Sequence, residues 1–237
     1  MLLTKHCTPE NKERMLRGHF RIGTHGEYSK GESTGLLSDT AEGVGATHVV
    51  GDLFNWSGSI DTNTFSNVTI AGALSGTSID INERINCNIF CASRGGHSAI
   101  RHKNLMNGID EYKPNPSLTE YIEIHRNTFL FALKHMSDHL FGEGNYWISK
   151  RVVYKDRYNK IDSAVVQMSG LNYNSRQRLI EQAFTKPDKF SIEDEWRYVL
   201  IKKNDKPEPN PIYTSNLPQR IIDMFRESIF SASHNKI

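Results

Sequence analysis

Cysteine is scarce in this chain of 237 residues, with only Cys7, Cys87 and Cys91. An odd number of cysteines, together with the lack of a hydrophobic leader after Met1, argues against a disulfide framework and leads us to expect a cytoplasmic protein. No apolar run approaches the roughly 20 residues that a membrane-spanning helix needs, so no membrane association is expected. An excess of either charge is missing too: 29 basic residues face 27 acidic ones, a net charge of +2. Any binding of nucleic acid must therefore come from local patches. The sequence has no glycine-rich phosphate loop opening a helix and no nucleophile elbow, which removes support from the standard nucleotide-hydrolase and esterase readings. Cys87, Cys91, His97 and His102 complete no recognised zinc spacing. His135 and His139 lie one helical turn apart but lack the acidic residue of the metalloprotease arrangement, and read as solvent-facing.

What is present is material for one sizeable core. Hydrophobic residues make up 37% and aromatics 10% of the chain, and no linker divides it, so residues 1–237 are expected to form a single domain. Residues 1–18 are charged and weakly patterned, with Thr8-Pro9-Glu10 a helix start. His19-Phe20-Arg21-Ile22 alternates polar and apolar and stops at Gly23, so it reads as a short strand with His19 and Arg21 on one face. Residues 23–47 read as a long exposed loop. Strand-forming runs follow at Val49 to Trp56, Val68 to Leu74, Ile79 to Ile81 and Ile85 to Cys91, and residues 94–118 again read as loop.

A strand at Tyr121 to Ile124 precedes the clearest helix, capped by Asn127, with Phe129, Ala132, Leu133, Met136 and Leu140 at the helical period. A strand from Trp147 to Tyr154, a helix from about Ser175 to Phe184 and a strand from Phe190 to Lys202 are expected next. Pro207 to Pro211 reads as an extended connector. Pro218 to Phe230 closes the chain as an amphipathic segment with Ile221, Ile222, Phe225 and Ile229 on one face. Strands outnumber helices and do not alternate with them, which gives an α+β class.

The most informative stretch is Phe190-Ser191-Ile192-Glu193-Asp194-Glu195-Trp196-Arg197. As a strand it places Glu193, Glu195 and Arg197 on one face and Trp196, Tyr198 and Leu200 on the other. Two like charges so placed repel and raise at least one pKa, which functional sites tolerate. The plainer reading is an exposed polar strand face on which Arg197 neutralises its acidic neighbours. His19 and Arg21 suit a phosphate or a planar ring, and Ser93 ends an apolar strand where a sheet rim could present it. Arg94, Arg101, His102 and Lys103, and separately Lys150, Arg151, Lys155 and Arg157, are basic stretches that could follow a phosphate backbone.

In their order, Arg21, Ser93 and Glu193-Asp194-Glu195 resemble the Arg, Ser, Glu-x-Glu series of ADP-ribosyltransferases. The stretches Phe20 to Thr24 through Tyr28, Ser38-Asp39 through Glu42-Gly43, and Phe190 through Arg197 are also similar to a bacterial family of uncharacterised domains thought to share that fold. The resemblance implies split antiparallel β-sheets around an NAD cleft, with flanking helices and NAD as co-substrate. It also implies that Arg21 holds NAD phosphate or ribose, that Ser93 positions the nicotinamide ribose and that Glu195 hydrogen-bonds its 2′-hydroxyl. Glu193 would orient or deprotonate the acceptor, with Thr24 beside the NAD and Tyr28, or else Trp196 from the apolar face, stacking on the nicotinamide.

His19 stands as an alternative to Arg21, and Ser75-Gly76-Thr77-Ser78 as an alternative to Ser93. By the same resemblance the setting is a toxin of a toxin–antitoxin or anti-phage system, with RNA, single-stranded DNA or a protein as acceptor and an antitoxin protein as partner. NAD hydrolysis without an acceptor uses the same site. A non-catalytic module binding nucleic acid or protein through the 23–47 loop is the reading from a different class.

Overall fold

The computed structural model describes residues 1–30, 44–50, 53–61, 68–74, 79–84, 87–109, 114–155, 158–162, 173–174, 180–202 and 209–230; residues 28–30, 158–162, 173–174 and the strands between 44 and 84 are described by backbone alone. In chain order these are β1 (Leu2–Cys7), α1 (Pro9–Leu16), β2 (Arg21–Thr24), α2 (His25–Lys30), β3 (Val44–Val50), β4 (Leu53–Asp61), β5 (Val68–Leu74), β6 (Ile79–Arg84), β7 (Asn88–Arg94) and α3 (Ala99–Asn107). There follow β8 (Glu120–His125), α4 (Arg126–Phe141), β9 (Tyr146–Arg151), β10 (Val153–Tyr154), β11 (Tyr158–Asp162), β12 (Tyr173–Asn174) and β13 (Thr185–Lys186). A 3₁₀ helix (Asp188–Glu193), β14 (Glu195–Ile201), β15 (Ile212–Tyr213), a second, short 3₁₀ helix (Thr214–Asn216), α5 (Gln219–Glu227) and β16 (Ile229–Phe230) follow. The fold is mixed helix and largely antiparallel sheet, the α+β class expected. Among the described residues no helix is long and apolar enough to cross a membrane.

β7 lies at the centre of the main sheet. Along one edge it pairs antiparallel with β14, from Ile89 opposite Val199 to Ser93 opposite Glu195, and β9 lies beyond β14. The other edge is shared between two strands. β2 takes the start of β7, with Gly23 opposite Ile89 and Thr24 opposite Asn88, while β1 takes its end, with Leu3 opposite Arg94 and Thr4 opposite Ser93. The sheet therefore forks between β2 and β1, with β15 outside β2, and β8 then β16 outside β1.

Directly opposed residues of an antiparallel pair share a face. Phe90, Ala92, Trp196, Tyr198 and Leu3 thus lie on one face, which α4 and α5 cover. Phe20, Phe90, Phe129 and Phe225 meet there with ring centroids 4.5–6.0 Å apart, each burial contributing about 1.5–3 kcal/mol. Ile89, Cys91, Ser93, Glu195, Arg197 and Val199 lie on the other face. Ala183 and Phe184 cover its apolar part. Just past the end of α1 stands Gly18, whose φ of +83° suits glycine and where an added Cβ would stand 2.4 Å from the Ile222 carbonyl oxygen of α5.

Several expectations are corrected. Residues 2–7, read as part of a charged and weakly patterned stretch, form the inner strand β1; Thr4 and His6 are buried among β7, β8 and α3, so both faces are covered and the sequence shows no alternation of polarity. The 94–118 stretch contains α3, capped by Ser98, whose hydroxyl accepts from the Arg101 N–H at 3.3 Å; only Leu105 of α3 is buried, so the stretch carries little helical period. The strand expected from Phe190 begins only at Glu195, because Pro187 and the following residues turn as a 3₁₀ helix. Most of the 23–47 segment, the Ser75–Ser78 segment and residues 175–179 of the expected 175–184 helix lie outside the described residues, as does the side chain of Tyr28. Of those stretches β2 ends at Thr24, α2 follows it and β3 begins at Val44.

Candidate functional site

Two places hold the residues singled out by sequence, and they are distinct. The first is a cleft of about 250 Å³ at the fork of the sheet, lined by Lys5, His6, His19, Arg21, Phe90 and Tyr213 among others. His19 and Arg21 are both there. The Arg21 guanidinium donates to Glu27 Oε1 at 2.5 Å and to the Tyr213 hydroxyl at 3.3 Å. Thr24 is buried at the mouth of α2. Its N–H donates to Glu27 Oε2 at 2.9 Å and its hydroxyl accepts from the Glu27 N–H at 3.2 Å. This is the reciprocal capping box of a Thr-x-x-Glu start, so the Thr24 hydroxyl has a structural use.

The second place is the far edge of β7, where β14 begins. Ser93 and Glu195 are directly opposed on one sheet face, and Glu193 joins them from the end of the 3₁₀ helix. Neither glutamate nor Ser93 lines the cleft at the fork. Arg21, on β2, and Glu195, on β14, thus belong to strands on opposite edges of β7.

The two carboxylates meet on Lys186. Its Nζ lies 2.6 Å from Glu193 Oε2 and 3.0 Å from Glu195 Oε2. Arg197 Nε lies 2.5 Å from Glu195 Oε1, and Arg197 Nη1 donates to the Ala183 carbonyl at 2.6 Å. The Glu195 N–H donates to the Tyr154 hydroxyl at 2.7 Å. Glu195 is only 4% exposed, and both of its oxygens are engaged. The ribose contact expected of Glu195 needs that carboxylate open, whereas here Lys186 and Arg197 enclose it.

The surroundings drive the two acids apart. Burial pushes the Glu193 carboxyl up to about 7; Lys186 opposes the rise and the charge of Glu195 adds to it. Burial would raise Glu195 as well, but the Arg197 guanidinium and the Lys186 ammonium outweigh it and hold that carboxyl well below its ordinary range. Burial also pushes up the Tyr154 hydroxyl. One acid stays ionised while its neighbour titrates near neutrality, a division of labour that active sites use for proton transfer.

Between the two glutamates, Asp194 adopts the left-handed conformation, φ 41° and ψ 56°, which few residues other than glycine tolerate. It is held by backbone bonds from its N–H to the Ser191 carbonyl at 3.0 Å and to its own carbonyl from the Arg94 N–H at 2.8 Å. This turn sends Glu193 and Glu195 to the same Lys186, although only Glu195 belongs to the strand. Lys186 and Tyr154 were not anticipated from sequence. They come from two-residue strands paired in parallel, too short to leave a pattern.

Beside α3, three histidines gather under β1. His97 Nε2 and His102 Nδ1 are 3.2 Å apart, and the His6 ring lies 4.8 Å from that of His102. Both ring nitrogens of His6 are buried with no hydrogen-bond partner among the described residues. Burial, followed by the positive charges that His102, His97, Arg101 and Lys5 carry or can acquire, lowers His6 to about 3 from 6.5. In that window the unfolded chain binds a proton that the folded chain refuses, so stability falls as pH drops through 6.5 towards 3. Glu193 acts in the opposite sense: its folded pKa is raised from 4.5 to about 7, so its contribution falls as pH rises through that range. The expected result for His6→Leu is an acid-unfolding midpoint lowered by about one pH unit, measured by circular dichroism. An unchanged midpoint would mean that His6 is already protonated in the folded state.

Compared with models of protein families, with curated proteins and with solved structures, the chain matches none.

Proposed function

We propose that the chain is an NAD-dependent ADP-ribosyltransferase acting on a nucleic acid or a protein. The observation that carries this reading is the pair at the start of β14: Glu193 titrating near neutrality against an ionised Glu195, the two sharing Lys186 and Glu195 lying directly opposite Ser93. NAD supplies an activated glycosidic bond to nicotinamide, whose cleavage leaves positive charge on the ribose. Glu193 takes the proton of the acceptor's hydroxyl or amine as that group bonds to the ribose carbon, work for which a pKa near the operating pH is best suited.

Glu195 serves as a positioning residue. Its fixed charge raises the Glu193 pKa and holds Lys186 in place, and it adds a negative potential in a low-dielectric site where charge is poorly screened. The donors of the fork cleft, Lys5, His19 and Arg21, suit phosphate, and Tyr213 offers a flat ring. At about 250 Å³ the cleft has room for part of a dinucleotide rather than all of it.

The enclosure of Glu195 favours a second reading, a module that binds nucleic acid or protein without transfer. Incubation with NAD labelled in the adenylate moiety and a cell extract separates the two. Covalent label that survives denaturation and is released by nuclease or by protease supports transfer and tells which acceptor is used. Binding of macromolecules with no covalent label supports the module.

A further inference from the structure

Arg94 and Arg101 from the first basic stretch and Arg151 from the second converge at one end of the sheet; Arg157 lies outside the described residues. Because β9, β14, β7, β1 and β8 are successive antiparallel neighbours, Arg151, Asp194, Arg94 and Arg126 come to the same rim. Three guanidiniums meet on the Asp194 carboxylate: Arg94 Nε at 3.3 Å, Arg101 Nη2 at 3.4 Å and Arg151 Nη2 at 3.0 Å. Arg101 Nη1 also donates to the Arg94 carbonyl at 2.9 Å. Further along, the Arg126 guanidinium lies over the Trp196 ring at 5.1 Å.

A single carboxylate cannot neutralise three guanidiniums, so the cluster keeps a net positive charge. Most of the N–H donors of Arg94 and Arg151 are directed elsewhere than to Asp194, and the Arg151 side chain is 51% exposed. Asp194 instead fixes their spacing, which reduces the entropy lost when a ligand binds. Five strands span about 19 Å, room for several backbone phosphates. The rim is an open edge rather than an enclosed cavity, which suits a polymer better than a small molecule.

We propose that this rim, Arg94, Arg101, Arg126 and Arg151 arranged around Asp194 and beside Trp196, binds the phosphodiester backbone of a single-stranded nucleic acid. Guanidinium forks recognise phosphate oxygens in pairs. Binding needs no NAD, so the rim stands or falls apart from the transfer chemistry. If transfer does occur, the rim delivers the acceptor next to Glu193, which directly precedes Asp194.

The test is fluorescence anisotropy with a labelled single-stranded oligonucleotide over a range of salt. The wild-type protein should bind with an affinity that falls as salt rises, with a log–log slope of about −0.7 for each phosphate contacted. Arg94→Ala with Arg151→Ala should weaken binding at least tenfold and flatten the slope by about 0.7 for each arginine removed. Arg101 still neutralises Asp194 in this variant, and circular dichroism would verify its fold. Lys12→Ala, whose partner Glu120 stands at the opposite end of β8, should leave affinity unchanged.

A wild-type protein that binds without salt dependence, or not at all, overturns the proposal without any variant. So does an unchanged affinity in the folded double variant, or an equal loss in Lys12→Ala. A polyglutamate peptide that binds as tightly as the oligonucleotide reduces the rim to general anion attraction and overturns it too. If NAD displaces the oligonucleotide and the double variant loses NAD, the arginines belong to the NAD site and the nucleic-acid assignment fails.

Discussion

Glu195→Gln is expected to destabilise the fold by about 3–5 kcal/mol, the range for removing one partner of a buried ion pair, and to abolish transfer. Glutamine keeps the shape of the side chain but not its charge. Arg197, fully buried, and Lys186, nearly so, are then left with one carboxylate, Glu193, whose own affinity for protons is high. Urea unfolding at neutral pH reads the effect directly. Double replacement of Glu195 and Arg197 by an apolar pair should recover much of the loss, because the cost arises from the unmatched charge. A Glu195→Gln protein of wild-type stability would mean that the carboxylate is hydrated rather than enclosed, and the geometry around Lys186 would have to be different.

That expectation departs from what the sequence alone implies, and the reason is physical. Alternation along the strand correctly puts Glu195 and Arg197 on one face, and it correctly separates Trp196 and Tyr198 from them. It cannot tell whether that face meets water. The cover comes from Ala183 to Lys186 and from the 3₁₀ helix, short irregular pieces whose placement depends on tertiary contacts. The plainer reading, Arg197 neutralising its neighbours, holds for the pairing with Glu195 but not for exposure.

α4 was legible because Phe129, Ala132, Leu133 and Met136 keep the helical period and are all buried, while Leu140, on the same stripe, is exposed near the C-terminal end. β1 was not, because its buried Thr4 and His6 look like surface residues. Of the candidate site, Ser93 and Glu195 are brought together by register, whereas Glu193 reaches Lys186 through the left-handed turn at Asp194. The convergence of Arg94, Arg101 and Arg151 on Asp194 needed the strand order, since β14 lies between β7 and β9. No reading of local pattern supplies that order. The α+β class holds, while the split pair of sheets and the ADP-ribosyltransferase fold belong with the proposal.

The second large effect concerns Glu193→Gln, which should leave the fold intact and still remove transfer. Glutamine imitates the protonated acid that Glu193 becomes below about pH 7, so its stability should stay within about 1 kcal/mol of wild type at acidic pH. Loss of a general base lowers the rate by about 10²–10⁴. NAD affinity should hardly change, since Glu193 does not line the fork cleft. A rate within a few-fold of wild type would remove Glu193 from the chemistry and leave the pair as a structural ion cluster.

The central claim is tested most directly by the rate of nicotinamide release from NAD, in the presence of acceptor, as a function of pH in wild type and Glu193→Gln. In the wild-type protein the rate should rise tenfold per pH unit on the acid side and level off through about pH 7, as Glu193 loses its proton. In Glu193→Gln the rate should be low and independent of pH over the same range. If the folded wild-type protein releases no nicotinamide at any pH with cell nucleic acid and protein both supplied, or if the variant shows the same rise through pH 7, the assignment of this site to ADP-ribosyl transfer is contradicted.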